Sequence, residues 1–574
     1  RNISIVGLGE GSVYIQGAGD DSVIRIEPSL VTLERVIVTG GESSQGAGIH
    51  NMGELALVDA SVEGNLASGD GACGGGVYVG ENASVLLDSA HIRQNATRNN
   101  GLTSDVRGGG ACLENGAITL SNNSSVSQNT LELAGTSDTI TLGGGIYAMG
   151  SVVTVTDASE IANNKLELVE NQVSGRGVGG GLALFDSSFE LHDGGVIANN
   201  RVTGVGTTTT FDLGGGGVFL ASSTMTMHGG MMSGNLVSGE TDEGVVVRGG
   251  GLLLESQSTA QLNGVEFMDN SASALTLGDQ LGVSESQADG GAAALYADGS
   301  NAVTLEIVDS TIRNNTTLSY GMVPGYTGDA DGGAFAVRAQ GGNAQATLNL
   351  YRSLGHSNWS EADGVVRGGL VSARAQAGNA QVVLNFVNTT ITGNTCDGSD
   401  GLGGNGGGLF VASSGGQARA DVDLSNVTIT RNEALGQSTN GGGLYFDRSG
   451  VSTQFNSEVR NSIVTNNAAG AGPECYTVGT TFVSMGYNLV KSIAGCSLSG
   501  ELVGNQIGVD GQLELLLDNG GPTLSHSLLP TSPAIDGGNP QGCLDDQDVP
   551  LEVDQRSFPR VEGAACDMGA LEQE

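Results

Sequence analysis

Residues 108–164 read GGGACLENGAITLSNNSSVSQNTLELAGTSDTITLGGGIYAMGSVVTVTDASEIANN, and two marks occur twice in this stretch. A glycine run ends at Gly110 and again at Gly145, followed by Ala111 and Ile146. An apolar residue, two variable positions and an asparagine follow, first from Val126 to Asn129 and then from Ile161 to Asn164. Each asparagine stands 19 residues after its glycine. Between the marks, Val152, Thr154 and Thr156 alternate with Val153, Val155 and Asp157. A period of two is the signature of a strand, whereas a helix would show a period near 3.6.

The same pair of marks runs along most of the chain. The last glycines are Gly48, Gly76, Gly110, Gly145, Gly181, Gly217, Gly251, Gly291, Gly333, Gly369, Gly408 and Gly443. The asparagines are Asn65, Asn95, Asn129, Asn164, Asn200, Asn235, Asn270, Asn315, Asn394, Asn432 and Asn467. One repeat departs, with Leu354 as its apolar mark and Asn358 one place late. The glycine-to-asparagine gap is 17 to 19 residues over seven repeats and 24 or 25 over the last five. The extra residues fall around Gly341-Gly342-Asn343 and Gly378-Asn379, which predicts a second protrusion there.

Constant spacing in one part of a repeat and variable length in the other describes a solenoid, with strands stacking coil on coil and insertions leaving from one corner. The expected fold is therefore all-β, a right-handed parallel β-helix of about twelve coils over residues 40–467. The paired glycines allow a positive φ at a corner. The asparagines are expected to adopt left-handed geometry and to bond to one another across coils about 4.8 Å apart. A propeller also has repeats of this length, but blades carry aromatic marks and the chain has a single tryptophan, Trp359.

Composition agrees. The 574 residues include 97 Gly but only 9 Pro, which excludes collagen. Hydrophobic residues make up 38%, which excludes a disordered chain. Lys and Arg number 22 against 62 Asp and Glu, a net charge of −40, so nucleic acid is not a partner. No run of about 18 apolar residues is present, so no transmembrane segment is expected. The chain opens at Arg1 already inside a strand-like alternation, and a segment missing upstream is expected.

Composition shifts near residue 470. Seven prolines and four cysteines, Cys475, Cys496, Cys543 and Cys566, lie beyond it, which divides the chain into a β-helix, 1–467, and a C-terminal capping segment, 468–574. Four cysteines permit three pairings; the two local loops, Cys475–Cys496 and Cys543–Cys566, are favoured. Disulfides imply an oxidising compartment. Cys73, Cys112 and Cys396 are expected as buried thiols, the first two being out of register with each other on consecutive coils.

The C-terminal stretch contains, in order, Ser484-Met485-Gly486-Tyr487-Asn488-Leu489-Val490, Cys496, Asp518-Asn519-Gly520-Gly521-Pro522-Thr523, Ser532-Pro533-Ala534-Ile535-Asp536, Asp554-Gln555-Arg556 and Cys566-Asp567-Met568-Gly569-Ala570-Leu571-Glu572. This series resembles the choice-of-anchor Q domain, which ends many bacterial surface β-helix proteins. The resemblance implies secretion and display at the cell surface, and it names no reaction. The repeats, with Gly332-Gly333-Ala334-Phe335 and Phe267-Met268-Asp269-Asn270 closest, are similar to those of chlamydial polymorphic membrane proteins. In the choice-of-anchor Q family a sorting signal normally follows the domain and a Cys-Ser-Leu-Arg-Glu-Ala segment often stands at the N-terminus; neither lies within residues 1–574.

No catalytic motif stands out. Asp545-Asp546-Gln547-Asp548 is the densest acidic run and reads as a solvated loop. His50, His91, His192, His228, His356 and His526 show no metal-ligand spacing. Aligned on the last glycine, Asp289, Asp331 and Arg367 share one position on successive coils, with Asp329, Glu361, Asp363, Asp397 and Asp400 nearby. Calcium is the one cofactor that this corner suggests, with Asp289, Asp329 and Asp331 as ligands; a charge ladder between Asp331 and Arg367 is the preferred reading. Sequons at Asn82, Asn95, Asn315 and Asn426 read as accidents of composition.

Three functions compete. The first is a non-enzymatic structural protein of the cell surface or extracellular space, self-associating along the rod axis into fibres. The second is an adhesin whose variable corner binds a surface glycan or protein. The third is a polysaccharide lyase or hydrolase, which requires convergent carboxylates on one strand face.

Overall fold

The computed structural model describes residues 2–573 except 9–10, 100–104, 134–138, 171–174, 193, 207–209, 278–285, 323–326, 400, 546 and 561–562. The chain is all-β, a right-handed parallel β-helix, with no helix among the described residues. Five short strands make one coil. In residues 117–149 they are Ala117–Ser121, Ser125–Ser127, Thr130–Leu133, Thr139–Leu142 and Ile146–Met149, and these positions define faces A to E. Each strand pairs in parallel with its counterparts one coil away, as Ala117–Ser121 does with Ser84–Asp88 and Val152–Val155.

The fold divides into two units. One contains Arg1–Leu253, Asn270–Gln287 and Gly321–Tyr326; the other contains Leu254–Asp269, Ala288–Tyr320 and Thr327–Glu574. In the first, face A runs from Asn2–Val6 to Thr224–His228; in the second, from Thr259–Asn263 to Leu498–Glu501. Twelve face A strands, Glu54–Val58 through Gln454–Arg460, fall within 40–467 as expected. Parallel pairing continues beyond Asn467: Phe482–Met485 pairs with Leu498–Glu501, and Leu489–Val490 with Gln506–Ile507. The alternation is the packing code. Val153 and Val155 are fully buried, while Thr154 between them is not.

The two sequence marks touch each other. In the first unit each asparagine donates its Nδ2 to the Oδ1 of the next, from Asn65 through Asn95, Asn129, Asn164, Asn200 and Asn235 to Asn270, at 2.9 to 3.1 Å. In the second, Asn315, Asn358, Asn394, Asn432 and Asn467 continue at 2.8 to 2.9 Å. All are buried. A Cβ on Gly110 would stand 2.7 Å from the Asn129 amide, so the last glycine leaves room for the ladder. The ladder ends on a group that the repeat pattern does not mark. Glu474 accepts from Asn467, at 2.7 Å from Nδ2 and 3.2 Å from the backbone N–H.

Four expectations need correction. The left-handed residue is the one before each asparagine: Gln94, Gln128, Asn163, Asn199, Asp269, Asn314 and Arg431 have φ of 54° to 58°. The asparagine follows this turn and points inward. Second, Asn358 is a full ladder member, because the apolar mark of its repeat is not Leu354. Gly355, not Leu354, pairs with Ile312 and Ile391 in the core column. Leu370 fills the vacancy: its methyls lie 2.7 Å from where a Gly355 Cβ would be. The glycine alignment slips by one there, since Ala292, Ala334 and Leu370 precede the paired residues Ala293, Phe335 and Val371.

Third, the extra residues of the later coils build no protrusion. They lengthen the E strand to six residues, Phe335–Gln340, and the A strand to seven, Gln345–Tyr351. The turns between them stack, with Asn379 Nδ2 donating to Asn343 Oδ1 at 2.9 Å. Fourth, Cys73 and Cys112 are bonded to each other, with Cα atoms 5.6 Å apart. The glycine turn after Cys73 brings it against the next coil, where a Cβ on Gly74 would stand 3.2 Å from the Cys112 Cβ. Cys396 is the buried free thiol.

Beyond Ile507 the chain leaves the stack and lies along its flank. A hairpin, Leu513–Leu517 with Ser525–Leu528, packs Leu513 and Leu528 against Ile463 and Leu489. Asn388, Asn426 and Asn461 occupy the left-handed corner between faces A and B on three successive coils, with φ of 49° to 57°. Their Nδ2 groups donate to the carbonyls of Val553, Leu544 and Asp567 at 2.8 Å. The threonines that follow take the segment's next contacts: Thr390 bonds Gln555, Thr428 accepts from the Ala570 N–H, and Thr392 meets His526 Nε2 at 3.0 Å. The segment is thus docked sideways, on a row of asparagines, rather than set over the end as a cap. It is closed by Cys543–Cys566, and Cys475–Cys496 ties the last coils.

Candidate functional site: a polar groove on face A

The outward side chains of face A in the second unit form straight rows, because parallel strands in register place equivalent residues about 4.8 Å apart. One row is Gln261, Glu306, Asn349, Asn385, Asp423 and Glu458. Every member is an amide or a carboxylate. The corresponding row of the first unit, Thr32, Ala56, Leu86, Thr119, Thr154, Glu190 and Thr226, is mostly small or apolar.

A groove of about 350 Å³ opens over the end of this row, lined by Gln381, Asn385, Arg419, Asp421, Asn456 and Glu458 among others. Asp421 is held by Gln381 Nε2 at 2.7 Å, Arg419 Nε at 2.6 Å and Asn456 Nδ2 at 2.8 Å. A carboxylate with so many donors is held in one orientation as an acceptor. Asp423 accepts from Ser425 Oγ at 2.6 Å. Arg460, buried, reaches Glu458 at 3.1 Å and Asp423 at 4.0 Å and pairs with Asp548. Burial acts to lower the Arg460 pKa, but Asp548, Asp423 and Glu458 outweigh it and raise it above the usual value.

Arg460 itself lines a separate pocket, of about 430 Å³, between the last coils and the docked segment. Its other walls include Met485, Tyr487, Val503, Gln541 and Leu544. Tyr487 has φ of 56°, a conformation that costs a bulky residue energy and is over-represented at functional positions. The carboxylates Asp421, Asp423 and Glu458 therefore do share one strand face. Sequence reasoning missed them; the strand alternation carried the signal, as Asp421-x-Asp423 and Asn456-x-Glu458 in aligned strands.

The acidic run of the C-terminal segment is only partly a solvated loop. Asp545 Oδ1 accepts from the N–H groups of Gln547 and Val549 and so fixes its own turn, at 2.9 and 2.8 Å. Asp548 is the partner of Arg460, and Asp546 lies outside the described residues.

The expected calcium corner has a different occupant. Asp331 is fully buried and is surrounded by Arg338, Arg367 at 3.2 Å, Arg374 at 2.9 Å and Ser372 Oγ at 3.0 Å. Asp289 pairs with Arg338 at 2.9 Å, and Asp329 with Arg367 at 3.4 Å. Asp331 and Arg367 are in register, as the charge-ladder reading has it, but the ladder is buried rather than exposed. Burial acts to raise the Asp331 pKa, and the three guanidinium charges overcome it and hold the group well below the carboxylate range. Burial takes Arg374 down to about 10 despite that partner. Three cations already stand around the carboxylate, so Ca²⁺ would meet repulsion here. Asp400 lies outside the described residues.

The histidines are spent locally. His50 stacks on Tyr78 and His192 on His228, while His91 Nδ1 meets Ser125 Oγ at 3.0 Å. The insertions between faces C and D fall largely in 100–104, 134–138, 171–174, 207–209, 278–285 and 323–326, outside the described residues. Neither a protein-family model nor a curated protein matches the chain.

Proposed function

We propose that this chain is a secreted, surface-associated, non-enzymatic structural β-helix. The observation that carries the reading is its three disulfides, Cys73–Cys112, Cys475–Cys496 and Cys543–Cys566, because structural disulfides belong to oxidising compartments. The C-terminal motifs, which resemble the choice-of-anchor Q domain, support display at a cell surface. A structural role is supported by how the buried polar side chains are used, in asparagine ladders and ion pairs that tie each coil to the next. Self-association along the axis is part of the proposal. The strand Leu498–Glu501 pairs on one side only among the described residues, and Leu502 and Val503 beside it are 59% and 65% exposed. Open strand edges of this kind pair with other chains.

Antibody raised against the purified chain is the test of location. It is expected to stain intact, unpermeabilised cells of the native source; staining only after permeabilisation refutes surface display. Sedimentation across a salt series tests assembly. Screening of the −40 charge is expected to increase the assembled fraction, and a single monomeric species at every salt concentration rules self-association out.

A further inference from the structure

We propose that the face A groove of the second unit binds an extended, uncharged polyhydroxylated chain, a neutral glycan, laid along the coil axis. Three observations converge. The row Gln261, Glu306, Asn349, Asn385, Asp423 and Glu458 offers planar amides and carboxylates at a regular spacing of about 4.8 Å. Amides present both donors and acceptors, and carboxylates accept from two hydroxyls at once, which is the complement of vicinal hydroxyl groups. The face holds polar groups in place before any ligand arrives: within the row Asn385 Nδ2 donates to Asn349 Oδ1 at 3.0 Å, and in the neighbouring row Asp421 is fixed by three neighbours. A preorganised polar surface loses little side-chain freedom on binding.

The second observation is the pocket beyond Arg460. Tyr487, Met485 and Val503 supply an apolar wall, and Gln541 and Asp548 supply polar edges, the usual composition of a small-ligand site. Arg460 lines this pocket and pairs at 3.1 Å with Glu458, which lines the groove. It is 7% exposed, and its Nε–H is buried without a partner among the described residues. A buried donor without an acceptor is costly, and a shift of the side chain towards the pocket would let a ligand hydroxyl satisfy it. The wall of the pocket is the docked C-terminal segment, placed there by Asn426 and Asn461.

The third observation is charge. Asp421, Asp423, Glu458 and Asp548 outnumber Arg419 and Arg460, so the groove repels polyanions and leaves a neutral chain as the occupant.

The test is affinity electrophoresis of the full chain through gels holding hydroxyethylcellulose, laminarin, xylan or, separately, polygalacturonate. Retardation by at least one of the three neutral polymers is expected, unchanged by a chelator. Two pairs of substitutions on the outward row, Asn385→Ala with Asp423→Asn and Gln261→Ala with Asn349→Ala, are expected to weaken it at least tenfold. Thr154→Ala, on the same face of the first unit, is expected to leave it unchanged. Circular dichroism confirms that each variant is folded. The proposal is overturned if no neutral polymer retards the chain, if polygalacturonate alone does, if a chelator abolishes the effect, or if either folded pair of variants is retarded like the parent.

Discussion

Replacing Asn164 with alanine tests the ladder at its centre. The side chain donates to the Val126 carbonyl at 2.9 Å and to Asn200 Oδ1 at 3.0 Å. It accepts from the Asn129 N–H at 3.1 Å and from Asn129 Nδ2 at 3.0 Å. Alanine removes all four bonds. Asn200 Oδ1 keeps the Asn164 backbone donor, and Asn129 Nδ2 keeps the Ile92 carbonyl. The Asn129 N–H loses its acceptor, whereas the Val126 carbonyl stays in the strand pairing with Glu160–Ala162. Four net bonds at about 1 kcal/mol each give a loss of about 4 kcal/mol. Solenoids unfold by neighbouring repeats rather than all at once, so the measurement must be local. Hydrogen exchange read by mass spectrometry on peptides covering Asn129 and Asn164 gives it. Faster exchange by two orders of magnitude or more is expected there, with little change in the C-terminal segment. A loss below about 1 kcal/mol with unaltered exchange at Asn129 would refute the ladder as a source of stability.

Other outcomes follow from the corrected register and from the buried groups. Leu370→Ala removes the side chain that fills the space over Gly355 and is expected to cost about 3 kcal/mol in denaturant titration; adding Gly355→Val should recover part of it, and equal stability of single and double variants would contradict the packing. Burial holds His526 at about 4, with Arg431 and His356 adding repulsion. Its folded pKa is below the ordinary 6.5, so protons favour the unfolded chain. Stability is full above pH 6.5 and falls as pH drops towards 4, by at most about 3 kcal/mol from this group. His526→Gln should flatten that part of the profile, and an unchanged slope would exclude it. Peptide mapping without reductant should recover Cys73 linked to Cys112, and Cys112→Ser should cost about 4 kcal/mol by chain entropy; two free thiols would refute the pairing. Burial raises the pKa of Glu474. The group therefore favours folding as pH falls, so Glu474→Gln should remove that dependence while leaving the ladder closed.

The architecture was legible because the rules behind it are local and repeated. The Gly and Asn marks are forced by contact between Gly110 and Asn129, and the same contact recurs in coil after coil. What failed were inferences that needed the neighbouring coil. Leu354 looked like the apolar mark because only pairing across coils shows that Leu370 fills the space over Gly355. Cys73 and Cys112 looked out of register because a glycine turn lies between the corner and the strand. The groove was harder still. Asp421 and Asp423 are two acids among many until strand alternation and register place them beside Asn385 and Glu458. The docking row was visible in principle, since Asn388, Asn426 and Asn461 stand at matching places before Thr-Ile-Thr or Ile-Val-Thr. Its meaning needed the segment that binds it.

The direction of the asparagine ladder bears on how such a chain can change length. Each asparagine gives one amide proton forward to the next ladder member and one back to a carbonyl of the coil behind, so each coil offers its successor the same socket and plug. A whole coil can be added or lost within either unit without leaving a mismatched junction, and only the last position needs a special residue, which Glu474 supplies. Duplication of a segment of about 35 residues is then a conservative event, while a shift by one residue within a coil is not. The chain carries a trace of such a shift where Ala292, Ala334 and Leu370 slip by one after the glycine run, and Leu370 there fills the space over Gly355.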